Sequence, residues 1–264
     1  MHILVTNDDG VQAPGLLALV TAMRRLADKV TVLAPDRNWS ASGHVKTLHR
    51  PLRVSETLLD DGSTAWASDG APSDCVALAL LGFVPEKIDL VVSGINPNAN
   101  IGHDVTYSGT VTAAMEAAIW GVPGVAVSID RPDDFHGAID YDDAAEAARR
   151  VVAWLMAQDE LPKETILNVN VPYGPLSEMK GFRITRQGLR LYHDELVRRL
   201  DPRGKPYFWI GGDVPTGVEE PGTDYGTLAA GYVSITPLQL DLTNQTMEKW
   251  MSARGFETNL RDLS

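Results

Sequence analysis

Short apolar segments alternate with amphipathic segments over the first two thirds of the chain. The apolar runs predict buried strands at 3–5, 30–33, 88–92, 124–129 and 165–171, with shorter strands near 52–55 and 64–67. Helical spacing of apolar residues predicts helices from Pro14 to Leu26 and at 70–81, 111–120 and 141–157. Strands that alternate with helices form parallel sheets with right-handed crossovers. The pattern therefore predicts an α/β fold: a Rossmann-like, doubly wound, mostly parallel sheet.

The pattern changes after Pro172. Strands are predicted at 182–186 and 232–236, a hairpin turn at 201–204, a segment rich in glycine and proline at 211–226, and a final helix at 246–254. The middle of this region has too few periodic apolar positions to form a core of its own. We therefore expect a catalytic core at 1–172 and a C-terminal extension at 173–264, whose hairpin lies across its own sheet or a second subunit.

Composition and charge narrow the possible partners. The 264 residues carry a formal net charge of -12, which disfavours a surface that binds a nucleic-acid duplex. A small phosphorylated substrate remains compatible with this charge, because a bound metal can reverse the local field. The single cysteine, Cys75, excludes an internal disulfide and a cysteine-based zinc cluster, and it lies in an apolar run where burial is expected.

The sequence favours a cytoplasmic protein. The segment that begins at Met1 has no basic leader, and its apolar run soon reaches Asp8 and Asp9. The longest nearly apolar run, at 75–84, is too short to cross a bilayer. No membrane association is therefore expected.

Oxygen-bearing side chains follow three of the predicted parallel strands. Asp8 and Asp9 follow the first strand, Ser40 lies in the loop after the second, and Asn96 follows the strand at 88–92. Loops after parallel strands meet at one edge of a sheet, so these side chains can converge, and Gly10 gives the chain the freedom to turn there. Carboxylate, hydroxyl and amide oxygens suit Mg²⁺ or Mn²⁺. The alternative is a set of ordinary turn and cap residues.

Ser108, Gly109 and Thr110 precede a predicted helix and could bind a phosphate group. The free N–H groups of a helix N-terminus attract anions, and a neighbouring metal would strengthen the site. The alternative is an ordinary Ser/Thr cap. His44 and His103 lie in the same loops and could contact a substrate, although surface roles are common for such residues. Tyr107 and Trp39 could stack on a base, although large aromatic residues are more often buried.

Several other chemistries lack their motifs. The chain has no Gly-x-Ser-x-Gly elbow, Walker A loop, dinucleotide-binding glycine fingerprint or His-Glu-x-x-His helix. A haloacid-dehalogenase-like phosphatase needs a nucleophilic Asp two positions before a second Asp, and here Asn7 stands two positions before Asp9. A nucleotide-binding sensor without catalysis stays open, because a fold does not fix a function.

The chain resembles the SurE (survival protein E) nucleotidases. The segments that carry the resemblance occur in the family's order at 5–11, 34–38 with Ser40, 70–76, 92–96, 107–111, 221–224 and 231–238. They span nearly the whole chain. Trp39 and the segment 97–99 depart from the residues that many relatives carry beside the site.

The resemblance implies a metal-dependent phosphatase that acts on nucleoside monophosphates, with the 5′ phosphate as the main target and the 3′ phosphate as a second one. It assigns one divalent metal ion per subunit to Asp8, Asp9, Ser40 and Asn96. It also assigns phosphate binding to the segment 108–110, and the neighbouring residues Asn38, His44, His103 and Tyr107 are candidate substrate contacts. Family members are homodimers or homotetramers whose C-terminal segments exchange between subunits, which predicts a role in oligomerisation for the C-terminal hairpin and helix.

Overall fold

The computed structural model describes residues 1–132 and 134–256. Its strands are β1 (His2–Thr6), β2 (Lys29–Pro35), β3 (Val54–Leu58), β4 (Thr64–Ser68), β5 (Leu90–Asn96), β6 (Gly124–Asp130), β7 (Ile166–Pro172), β8 (Phe182–Ile184), β9 (Arg190–Leu200), β10 (Pro206–Gly217) and β11 (Val233–Leu238). Its α-helices are α1 (Pro14–Met23), α2 (Pro72–Leu78), α3 (Gly109–Ile119), α4 (Asp142–Met156), α5 (Asp224–Ala229) and α6 (Gln245–Ser252). A π-helical turn covers Ala79–Phe83 and a 3₁₀ turn covers Gly102–Thr106.

The main sheet has nine strands in the order β3-β4-β2-β1-β5-β6-β7-β11-β8. The run from β4 to β7 is parallel, whereas β3 and β11 pair antiparallel with their neighbours and β8 continues parallel to β11. The predicted α/β fold with a mostly parallel sheet is thus confirmed. The carboxyl ends of β1, β2 and β5 lie side by side, which is the arrangement that the predicted site needs.

The core has two layers because successive residues of each strand point to opposite faces of the sheet. Ile3 and Val5 of β1 pack with α1 and α4, while Leu4, between them, packs with α2 and α3. The strands of the parallel run are buried on both faces, so they lack the alternation of apolar and polar residues that a half-exposed sheet shows. Cys75 lies fully buried in the second layer, as the sequence predicted.

Most predicted elements are present, although several differ in extent: the first helix ends at Met23 instead of Leu26, and the strand predicted at 88–92 covers Leu90–Asn96. The helix predicted at 70–81 is α2 followed by the π-helical turn, in which Gly82 has a non-helical φ of 115°. The strand expected near 52–55 begins two residues later, at Val54. Helix α5 had not been predicted, because six residues are too few to show a helical period.

The strands β9 and β10 form a separate antiparallel ribbon, residues 190–217, which turns at 201–204 as predicted. Both strands carry exposed large hydrophobic residues: Leu191, Tyr192, Leu196, Leu200, Tyr207, Phe208, Trp209 and Ile210. Helix α6 has no buried residue. An isolated hairpin is marginally stable in water, so this ribbon is an element that another surface should cover.

None of the helices within 1–132 and 134–256 is both long and apolar enough to span a membrane.

Candidate active site

The acidic turn after β1 is closed by the side chain of Asn7. The Asn7 amide nitrogen donates to the carbonyl oxygen of Gly10 at 2.9 Å, and the N–H of Gly10 donates back to Oδ1 of Asn7 at 3.2 Å. Gly10 has a φ of 106°, which is unfavourable for a residue with a Cβ. The turn that the sequence predicted is therefore fixed on both sides of Asp8 and Asp9.

The loop after β2 is held against this turn. The N–H of Trp39 donates to the carbonyl oxygen of Asp8 at 2.7 Å, and Nδ2 of Asn38 lies 3.5 Å from Oδ1 of Asp9. The N–H of Ser40 donates to Oδ1 of Asn38 at 2.7 Å. The structure thus brings Asn38 to Asp9 and holds Ser40, two residues further along the same loop, against Asn38.

The N-terminus of α3 approaches Asp8 from the other side. Thr110 donates from its Oγ1 to Oδ1 of Asp8 at 2.5 Å. A Cβ at Gly109 would lie 2.7 Å from the Cβ of Asp8, so only glycine permits this approach. Ser108 caps the helix, its hydroxyl accepting from the N–H of Val111 at 3.1 Å. The cap that was the alternative for Ser108 is therefore present, and it orients the N–H groups of the first turn.

Asn96 is the last residue of β5, the strand that pairs with β1 on the side away from β2. Its amide nitrogen donates to the carbonyl oxygen of Asn98 at 2.5 Å, which leaves the amide oxygen as the atom that can coordinate a ligand. The four predicted metal ligands thus come from three adjacent strand ends.

The carboxylates of Asp8 and Asp9 have no cationic side chain paired with them in the described part of the chain. Burial raises the pKa of Asp8, although hydrogen bonds from Thr110 and from the first turn of α3 oppose that effect. Burial, together with the neighbouring charge of Asp8, raises the pKa of Asp9 to about 7. Within the described part of the chain, Asp8 and Asp9 form no salt bridge with Lys, Arg or His. A divalent cation would supply the missing charge.

The donor set fits a hard cation. Among the described residues, no three His, Cys, Asp or Glu side chains gather where they could hold an ion, so a metal here depends on neutral oxygens beside the two carboxylates. The hydroxyl of Ser40 and the amide oxygen of Asn96 are ligands that Mg²⁺ and Mn²⁺ accept and that zinc rarely uses.

The other candidate substrate contacts lie around the rim. His103 and Tyr107 are exposed in and after the 3₁₀ turn, and the carbonyl oxygen of Tyr107 accepts from the N–H of Gly43 at 2.9 Å. His44 points elsewhere: its Nε2 lies 2.9 Å from Oε2 of Glu116. Exposure, rather than the burial that is common for aromatic residues, leaves Tyr107 available to a ligand.

Glu116 is a buried carboxylate that the sequence analysis did not single out. It lies on α3, and its side chain is 3% exposed. It accepts hydrogen bonds from Lys46 at 2.9 Å and from Trp120 at 2.8 Å, and it pairs with His44 at 2.9 Å. Burial alone would raise the pKa of Glu116, but these three partners outweigh it and lower the pKa to about 2. The cluster fastens the loop that carries Ser40 to the helix that carries Thr110.

A buried amide network that sequence reasoning also missed supports the loop after β5. The N–H of Asn100 donates to Oδ1 of Asn170 at 2.8 Å, and its side chain donates to Ser128 at 2.8 Å. Asn168 and Asn170 of β7 both donate to the carbonyl oxygen of Asn100. Two asparagines inside an otherwise apolar strand were a signal that could have revealed this support.

Comparison with known proteins decides the family. The family model described as survival protein SurE matches residues 3–194, which include the acidic turn, Ser40, Asn96 and the start of α3. The chain belongs to the SurE family. Family membership confirms the resemblance that the sequence motifs had indicated.

Individual members of the SurE family match over nearly their full length. The 5′-nucleotidase SurE of Herpetosiphon aurantiacus is 53% identical over 244 residues, 92% of this chain and 94% of that protein. The 5′-nucleotidase SurE of Chloroflexus aggregans is 51% identical over 251 residues, 95% of this chain and 96% of that protein. The crystal structure of the SurE protein from Aquifex aeolicus superposes with a TM-score of 0.79 at 38% identity, covering 97% of this chain and 100% of that one.

Proposed function

We propose that this chain is a divalent-metal-dependent phosphomonoesterase that hydrolyses nucleoside 5′-monophosphates, and secondarily 3′-monophosphates, to nucleoside and phosphate. The observation that carries the proposal is the position of Asp8, a buried carboxylate between the loop that carries Ser40 and the N-terminus of α3. Membership of the SurE family, whose cited relatives are named 5′-nucleotidases, supports the same activity.

Asp8, Asp9, Ser40 and Asn96 would hold one Mg²⁺ or Mn²⁺ ion per subunit. When bound, such an ion polarises a phosphoryl oxygen and lowers the pKa of a coordinated water toward ~7. The buried position of Asp8, with no basic side chain paired to it in the described structure, makes it the ligand that defines the site.

The start of α3 would hold the phosphate. The N–H groups of Gly109 and Thr110 lie at a helix N-terminus, where the helix dipole favours anions. The hydroxyl of Ser108 accepts from Val111 and keeps its own proton for a phosphate oxygen, whereas the proton of the Thr110 hydroxyl is donated to Asp8. These groups keep the phosphorus oriented for attack by water from the side of the two aspartates, and either Asp8 or Asp9 accepts the proton of that water.

The structure disfavours an aspartyl-phosphate mechanism. Asn7 occupies the position where that mechanism places its nucleophile, and its amide is buried and bonded to Gly10 through both of its polar atoms. An amide in this position closes the turn and cannot accept a phosphoryl group.

Phosphate release tests the proposed activity directly. Purified protein is incubated with AMP or GMP, with Mn²⁺ or Mg²⁺ and with a chelator, and free phosphate is measured. We expect release that requires the metal and stops with the chelator. Chelator-resistant nucleotide binding without any phosphate release would contradict the proposal and would favour the sensor.

We further propose that the ribbon at 190–217 pairs with a second copy of the chain, giving a homodimer or homotetramer. Trp209 on β10 is 64% exposed, a large apolar side chain on an element that has no core beneath it. Trp209→Asp should shift the molecular mass measured by light scattering toward that of a monomer. Trp154→Asp is the matched control, because Trp154 is 65% exposed but lies on α4. Unchanged mass in both variants would contradict this proposal.

A cytoplasmic location stays a prediction, which fractionation of cells that express the protein would test.

A further inference from the structure

A cavity of about 350 Å³ lies beyond the carboxyl end of β6. It is bounded by Ile101 after the loop of β5, by Arg131 after β6, by Arg190 and Pro215 at the base of the ribbon, and by Tyr225 and Leu228 of α5. The lining is more polar than apolar, with Asp130 beside the two arginines, and the volume lies in the usual range for small-molecule sites.

The cavity is next to the candidate active site. In the sheet, β6 is separated from β1 by β5 alone, and neighbouring strands lie ~4.8 Å apart, so the two strand ends are roughly 10 Å apart. Nη2 of Arg131 lies 3.4 Å from Oδ1 of Asn98, whose carbonyl oxygen accepts from Asn96. The separation of roughly 10 Å between the ends of β1 and β6 suits the length of a nucleoside monophosphate whose phosphate lies at Asp8.

Two arginine side chains at this cavity have N–H donors without a hydrogen-bond acceptor among the described residues. The buried Nε atoms of Arg131 and Arg190 form no hydrogen bond within the described part of the chain. Nε of Arg190 is 3.1 Å from Oδ2 of Asp104, close enough for an ion pair, but its N–H does not point at that oxygen. Buried donors without partners are rare in folded proteins, so ordered water or a bound molecule supplies the missing acceptors.

The wall that carries Arg190 is fixed before any ligand arrives. Asp224 of α5 is fully buried and accepts from the N–H of Gly102 at 2.8 Å and from the N–H of Gly188 at 2.7 Å. Gln187 donates to the carbonyl oxygen of Gly102 at 2.9 Å. These bonds tie the 3₁₀ turn, the start of the ribbon and α5 together, so the cavity belongs to the folded state.

We propose that this cavity is the nucleoside subsite of the enzyme, with Arg131 and Arg190 donating to acceptor atoms on the edge of the base. The inference rests on the proposed function and deepens it. A single phosphate group would leave most of the cavity empty, whereas a base with its ribose fills it and covers Ile101 and Leu228.

The donors also select among bases. Guanine and hypoxanthine present two acceptors, N7 and O6, on one edge, whereas adenine presents N7 beside an N–H₂ donor. Arginine can only donate. The subsite therefore prefers a 6-oxopurine nucleotide to AMP.

The test separates binding of the nucleoside from hydrolysis of the phosphate. The substrates are GMP, AMP and p-nitrophenyl phosphate, which has no nucleoside, and the variants are Arg131→Ala and Arg131→Gln. Arg150→Ala is the matched control, because Arg150 is an exposed arginine of α4 paired with Glu146. Binding of guanosine without metal is measured by calorimetry, and Tm shows that each variant is folded.

We expect both Arg131 variants to raise KM for GMP by about tenfold, an effect of the size of one lost charge-assisted hydrogen bond, and to weaken guanosine binding similarly. The kcat/KM for p-nitrophenyl phosphate should stay within about twofold of the wild type, and Arg150→Ala should change nothing.

Equal losses for GMP and p-nitrophenyl phosphate would overturn the proposal, since Arg131 would then serve the phosphate end. Unchanged KM and guanosine binding would overturn it as well. Should no phosphomonoester be hydrolysed by the wild type, the proposed function fails, and the guanosine measurement still decides the subsite.

Discussion

Thr110 donates a hydrogen bond from its Oγ1 to Oδ1 of Asp8, joining two residues that are 102 positions apart in the sequence. This bond connects the helix end that would bind phosphate with the carboxylate that would bind metal. Phosphate and metal sites that share a hydrogen bond are held in a fixed relative position, which in-line attack requires. The Asp8–Thr110 pair is therefore the centre of the proposed site.

Removal of the Thr110 hydroxyl should impair both sites together. Thr110→Val keeps the shape of the side chain but leaves Oδ1 of Asp8 without this donor, and the loss of such a bond costs roughly 1–3 kcal/mol. We expect kcat/KM for GMP to fall by ~10- to 100-fold, measured at saturating Mn²⁺. Thr110→Ser restores the hydroxyl and should recover most of the activity. Full activity in the valine variant would show that the bond is not needed.

Asp9→Asn should separate stability from function. In the metal-free protein, burial and the charge of Asp8 disfavour the ionised form of Asp9, which is why its pKa is raised to about 7. The neutral amide avoids that cost, so Tm of the metal-free variant at pH 8 should be equal to or above that of the wild type. Added Mn²⁺ should raise Tm of the wild type only, and turnover of the variant should fall by ~10²-fold or more. An Asn variant with full turnover in metal-buffered assays would contradict the assignment.

Gly109→Ala should force α3 and the acidic turn apart, because glycine at this position allows their close contact. The added Cβ would lie 2.7 Å from Cβ of Asp8 and 3.2 Å from Cγ of Pro72, so the helix or the turn must move. We expect a loss of about 1–3 kcal/mol in the free energy of unfolding and a larger loss of activity. Gly211→Ala is the control, because its new Cβ would meet its nearest neighbour, on Val197, at 3.6 Å, an ordinary contact. Equal losses of stability and activity in Gly109→Ala and Gly211→Ala would contradict the close contact between Gly109 and Asp8.

Glu116 should contribute stability that is lost in acid. Its pKa is about 2 in the folded protein against 4.5 in an ordinary environment, so its contribution is fully present above pH 4.5 and disappears as the pH falls toward 2. Glu116→Gln should lower the free energy of unfolding at pH 7 by roughly 1–3 kcal/mol, measured with urea, because Lys46 and His44 lose their charged partner. The difference between the variant and the wild type should shrink as the pH falls toward 2. A difference that stays constant with pH would contradict the account.

The parallel core and the acidic turn could be predicted from the sequence because their signals are local. A buried strand such as β1 is a continuous apolar run, and Asp8-Asp9-Gly10 marks its end. The order of strands then places Ser40 and Asn96 at the same edge of the sheet without any further information.

The interactions that support the site could not be predicted because they are long-range. A glutamate in the middle of a helix, such as Glu116, is usually solvated, and only its partners in the distant loop at 44–46 show that it is buried. The same holds for Asp224, whose backbone partners Gly102 and Gly188 lie 122 and 36 positions away. Backbone N–H groups leave no trace in the sequence, so a carboxylate that binds them resembles any other.

The most direct test of the central claim is the anomalous scattering of Mn²⁺ in crystals of the protein. The account predicts one peak per subunit, within about 2.0–2.4 Å of carboxylate oxygens of Asp8 and Asp9, the hydroxyl of Ser40 and the amide oxygen of Asn96. The peak should be absent from crystals of Asp9→Asn. A fully loaded, active enzyme whose Mn²⁺ lies elsewhere, with these four side chains uninvolved, would contradict the account.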